Sequence, residues 1–136
     1  MSVERLRNVQ DVFSRCIERL DETVQEPVVD LRDVAGVVKH FELAFEQAYR
    51  TIMELLLALE AEDAKRSVKV AFRRALEFGW IHDEATWLAM IVDRNTVAHT
   101  YDEPFAVELV HRIKSVYVPQ FRHLAQAVAL ETDRLQ

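Results

Sequence analysis

The sequence predicts an all-α protein, an antiparallel bundle of four to five helices, and three observations carry that prediction. Apolar residues recur every three or four positions over long stretches, the period of one helix face. Only 2 glycines and 3 prolines occur among 136 residues, too few to supply the tight turns of a sandwich or barrel. Half of the residues are hydrophobic, which suits one core, so residues 1–136 are expected to form a single domain.

Each element has its own signal. Leu6, Val9, Phe13, Cys16, Leu20 and Val24 make one apolar stripe over a first helix from Val3 to about Gln25. EPVVDLRD then breaks the pattern, because Pro27 disfavours helix for the residue before it and Asp30 or Asp33 can cap the next helix. Val34, Val37, Phe41, Phe45, Ala48, Ile52, Leu55 and Leu59 continue at helical spacing, with Val38, Leu43, Ala44, Met53, Leu56 and Leu57 widening the apolar face. A helix this apolar belongs at the centre. After the charged link EAEDAKR, Ser67 caps a short third helix carrying Val68, Phe72, Ala75 and Leu76, and Gly79 stops it. Trp80 and Ile81 pack the turn, and Asp83 caps a fourth helix with Trp87, Leu88, Ile91 and Val92. Asp102, Glu103 and Pro104 start a long last helix through Phe105, Leu109, Ile113, Val116, Leu124 and Val128, which Pro119 should kink. Short connections favour antiparallel neighbours.

The formal net charge of -6 argues against non-specific binding along nucleic acid and leaves room only for a local basic site. Lys114, Arg122, His111 and His123 on the last helix are candidates for such a strip, and a solvated helix face accounts for them equally well. Cys16 is the single cysteine, so no internal disulfide is expected; its apolar neighbours mark it as a small core residue with a disfavoured thiolate. MSVERLRNVQDVF has no apolar signal region and no window approaches a membrane span, so a cytoplasmic protein without membrane association is expected.

The chemistry concentrates in DRNTVAHTYDE, Asp93 to Glu103. On a continuous helix Arg94 and Tyr101, seven apart, share a face, whereas His99, five after Arg94, sits well round the axis. A helix that ends near Ala98 would let His99 and Tyr101 turn back toward Arg94. A guanidinium suits phosphate oxygens and an imidazole exchanges protons near neutral pH, so together they suit phosphodiester chemistry without a metal. The same residue types are also what an ordinary helix C-terminus favours. Glu42, Glu46 and His40 lack the spacing of a metal site, so no metal is expected; one of the two glutamates, or Asp93, is the expected partner of Arg94. No glycine-rich phosphate loop is present and no cofactor is expected.

Arg94-Asn95-Thr96-Val97-Ala98-His99-Thr100-Tyr101 resembles the R-x4-H-x-Y signature of the HEPN domain family. HFELAFEQAYRTI, AFRRALEFGWI and WLAMIVDRNTVAHTYDE are together similar to its nucleotidyltransferase substrate-binding protein branch, over roughly residues 30 to 105. Glu42 and Glu46 stand where that branch has an F-E-x-x-x-E helix, and Tyr49-Arg50 stands where it often has Trp-Lys, a change expected to affect packing only. The resemblance implies a homodimer or higher homo-oligomer whose two motifs face one cleft, encoded beside a minimal nucleotidyltransferase. It implies a metal-independent ribonuclease toxin acting on RNA, with that partner as the antitoxin that transfers AMP to the motif tyrosine. Carried over, Arg94 would hold the scissile phosphate, His99 would move the proton, Asn95 would support them and Tyr101 would accept AMP, with Asp93, Glu42 and Glu46 supporting. The competing implication is a non-catalytic substrate-binding subunit of the nucleotidyltransferase.

Overall fold

A computed structural model describes residues 3–59 and 67–135, so the expected link EAEDAKR lies outside the described residues. The chain forms α1 (Val3–Gln25), α2 (Leu31–Ala58), α3 (Val68–Phe78) and α4 (Glu84–His99). A last rod joins α5 (Glu103–Arg112), a π-helical turn (Ile113–Tyr117) and α6 (Val118–Arg134). The described residues contain no strand, and the expected all-α bundle is what forms.

The caps lie where the sequence places them. Asp30 and Asp33 serve one N-terminus together: the Asp33 amide donates to Asp30 Oδ1 at 2.9 Å, and Asp33 Oδ2 accepts from the Val29 amide at 2.9 Å. Ser67 accepts from the Val70 amide at 3.1 Å and Asp102 from the Phe105 amide at 3.0 Å. Asp83 accepts from both the side chain and the amide of Thr86, which hold its carboxyl below the usual carboxylate range. Gly79 ends α3 with φ of 83°, a left-handed conformation that a side chain would strain.

The central position expected for α2 is confirmed, since it packs against α1, α3, α4, α5 and α6. An aromatic seam joins these layers. Phe45 lies against Phe72 at 5.6 Å between ring centres, Phe72 stacks on Trp87 at 4.9 Å, and Trp87 meets the Phe121 edge at 5.9 Å. The buried Trp87 indole donates to Gln120 Oε1 at 3.2 Å, so its N–H is not left unpaired. Leu43 departs from the expected apolar face of α2 and points outward.

The long last helix also departs from expectation. Its distortion comes before Pro119, as a π turn in which the Val118 amide reaches the Ile113 carbonyl, five residues back. A regular helix would set the Pro119 ring against the Ser115 carbonyl, and the wider turn falls in the segment just before the proline. The inserted residue rotates the downstream side chains by about 100°. Tyr117, four residues after the buried Ile113, faces inward, and Val116, expected inward, is exposed. Among the described residues no helix is long and apolar enough to cross a membrane.

Candidate functional site

The candidate site occupies the C-terminal end of α4. This helix buries Trp87, Met90, Ile91 and Val97, while Leu88 and Val92, expected on the same face, point outward. It ends at His99, close to the end expected near Ala98, and Thr100 leaves it with its amide still bonded to the Thr96 carbonyl at 2.9 Å. His99 is thus held helical, about 140° round the axis from Arg94. No hydrogen bond, ion pair or ring contact among the described residues joins Arg94 to His99 or Tyr101.

Arg94 bonds its neighbour Asn95 instead. The Arg94 Nη1 donates to Asn95 Oδ1 at 3.2 Å, and Asn95 shares an exposed face with His99 one turn on. The Arg94 guanidinium carbon lies 5.5 Å from the centre of the buried Phe45 ring, and its Nη2 lies 3.9 Å from Glu46 Oε2. That ion pair is long and partly exposed, so it orients the arginine without neutralising it. Arg50 also approaches Glu46, at 3.5 Å. Glu42, one turn earlier on α2, makes no hydrogen bond or ion pair among the described residues.

Asp93 has other partners than Arg94. It accepts from Arg112 Nε at 2.9 Å and from the Tyr117 hydroxyl, both on the last rod. Burial, reinforced by the adjacent Asp93 charge, pushes the Tyr117 hydroxyl well above the usual tyrosine range. Burial works against the charge of Arg112, but its bond to Asp93 prevails and raises its pKa. Arg112 also covers the Phe105 ring, 5.5 Å away. Neither Arg112 nor Tyr117 stands out in the sequence. Tyr117 lies 24 residues from Asp93 in the sequence and Arg112 lies 19.

Tyr101 is 49% exposed, in the short link between α4 and α5, and His99 is exposed beside it. The last-helix strip does not gather. Arg122 turns to α1 and bonds Glu18 at 2.9 Å and Asp21 at 2.7 Å, while His123 faces His82, with ring centres 5.0 Å apart. Cys16 sits at the edge of the core, where burial pushes its thiol up and disfavours the thiolate.

The outward side of α4 forms a second feature. Leu88, Val92, Thr96 and His99 follow one another at helical spacing on exposed positions, so an apolar stripe runs into the polar end of the site.

A family model described as nucleotidyltransferase substrate binding protein-like matches residues 4–129. The chain belongs to that family. The match extends beyond the motif across nearly all of the bundle, including α1 and most of α6, which the resemblance drawn from residues 30 to 105 did not reach. A search among curated proteins finds no match to the chain. Within the nucleotidyltransferase substrate binding protein-like family, the arrangement of Arg94, Asn95 and His99 is the feature of this chain with the most evident chemistry.

Proposed function

We propose that this protein is the HEPN-type toxin of a toxin–antitoxin pair, a metal-independent endoribonuclease whose partner is a minimal nucleotidyltransferase. The observation that supports this reading is the end of α4, where Arg94, bonded to Asn95 and laid over the Phe45 ring, stands within two helical turns of the exposed His99. In this proposal the Arg94 guanidinium binds the scissile phosphate and stabilises the charge that develops on it. The ribose 2′-oxygen attacks phosphorus and loses its proton, the bond to the 5′-oxygen breaks, and that oxygen gains a proton. His99 serves one of these two transfers. The products are a 2′,3′-cyclic phosphate and a 5′-hydroxyl.

Two copies would pair through the outward stripe of α4 as a homodimer, setting two such ends beside one cleft. Tyr101, exposed between α4 and α5, is the proposed AMP acceptor: its oxygen attacks the α-phosphate of ATP bound to the nucleotidyltransferase and releases pyrophosphate. The added phosphate would lie close to Arg94 and compete with RNA. The family description supports a second reading, a non-catalytic subunit that presents substrate to the nucleotidyltransferase.

Incubation with the partner nucleotidyltransferase, ATP and Mg2+, followed by intact-mass and peptide analysis, tests the pairing. One AMP on Tyr101, absent from Tyr101→Phe, is expected. A stable complex with no transfer and no cost to growth on expression would favour the presenting subunit.

A further inference from the structure

Lys69 and Arg73 stand one turn apart on α3, on the rim of a slot between α3 and α4. Although the protein carries a net charge of -6, neither cation forms an ion pair or hydrogen bond among the described residues. Arg74, beside them in sequence, is bonded to Glu77 at 3.1 Å. Glu84 is the one carboxylate on the slot, near the start of α4. The remaining walls are apolar and include the stacked pair Phe72 and Trp87 and the exposed Leu88.

The floor of this slot leads to the motif. Phe72 lies 5.6 Å from the Phe45 ring, and Phe45 in turn lies under the Arg94 guanidinium at 5.5 Å. Phe45, Phe72 and Trp87 are buried, so Lys69, Arg73 and Arg94 stand round the edge of one buried aromatic cluster, and Arg94 follows the slot residues Trp87 and Ile91 on one side of α4. Cations without a partner among the described residues, set beside the exposed apolar Leu88, suit a single-stranded nucleic acid, with phosphates on the cations and a base face on the apolar side chain. The slot encloses about 40 Å³, too little to swallow a base, so a base would lie across its mouth against Leu88.

We infer that Lys69 and Arg73, with the slot between α3 and α4, form a binding site for single-stranded RNA that holds nucleotides flanking the one at Arg94. The inference rests on the ribonuclease reading of Arg94. It assigns the grip on the strand to α3 rather than to the last helix, where Arg122 is neutralised by α1.

The test is fluorescence anisotropy with a 2′-O-methyl oligoribonucleotide, which cannot be cleaved through its 2′-oxygen, over a series of salt concentrations. The proteins compared are the wild type, the double variant Lys69→Ala/Arg73→Ala, and the control Arg15→Ala/Arg19→Ala on α1. Each phosphate contact adds about 0.7 to the log–log salt slope for single strands, so loss of two contacts should lower that slope by about 1.4. The double variant should bind at least about tenfold more weakly at low salt, and the control should match the wild type. Wild-type binding with an unchanged slope in the double variant, or an equal loss in the control, overturns the α3 site alone. Absence of binding by the folded wild type overturns both this site and the ribonuclease reading.

Discussion

The Tyr117 hydroxyl donates a hydrogen bond to Asp93, and this bond ties the last helical rod to the residue immediately before Arg94. The Arg112 Nε donates to the same carboxylate oxygen at 2.9 Å, so the end of α4 is clamped from the side opposite its solvent face. Tyr117→Phe removes one donor and leaves Asp93 with Arg112. The expected loss is about 1–2 kcal/mol in urea unfolding, the usual range for a partly buried hydrogen bond to a charged group. The raised hydroxyl also sets a pH dependence. A group whose folded pKa lies above its unfolded value contributes stability that is complete below the unfolded value, about 10 for tyrosine, and declines as pH rises beyond it. Wild type should therefore lose stability above about pH 10 more steeply than Tyr117→Phe. Parallel curves for the two proteins would show that this bond is not made in solution.

The two glycines should respond to alanine with opposite signs. A Cβ at either position meets no atom within 4 Å, so backbone conformation alone decides. Gly36 lies inside α2, where alanine is the better helix former, and Gly36→Ala should raise stability by about 0.5–1 kcal/mol. Gly79 has φ of 83°, and Gly79→Ala should cost about 1 kcal/mol. Thermal and urea unfolding of both variants measure the difference, and a shift of the same sign in both would contradict the left-handed end of α3.

Val92, 60% exposed in the middle of the outward stripe of α4, separates folding from assembly. Val92→Glu should leave monomer stability within about 0.5 kcal/mol, as expected for a surface substitution. If two copies pair through this stripe, the same change should weaken association at least about tenfold, because it places one charge from each copy in an apolar interface. Sedimentation velocity over a concentration series reads both species. Undiminished association would move the interface to another face.

Much of this architecture is visible in the sequence because the signals are local. Ser67, Asp83, Asp102 and Gly79 cap their helices through bonds to residues only a few positions away, and the apolar period of α2 marks its central place. The departures are non-local or lie where the helical period allows two choices. After Ile113 both Val116 and Tyr117 fit a helical period, at three and at four residues, and the structure takes Tyr117 inward and leaves Val116 exposed. Leu88 and Val92 carry the right period on α4 but face solvent, since apolar residues occupy both of its sides. At the site, Arg94, Asn95 and His99 follow from the motif, whereas the Arg112 and Tyr117 clamp on Asp93 depends on how two separate helices meet.

The most direct measurement of the central claim is cleavage of RNA by the purified, unmodified protein with EDTA present, compared with Arg94→Ala and His99→Ala. The account predicts cleavage that survives chelation, leaves 2′,3′-cyclic phosphate ends, and falls by at least about a hundredfold in each variant, within the range for loss of a proton-transfer or charge-stabilising group. A folded wild type that leaves RNA intact, or variants that cleave as well as it does, would contradict it.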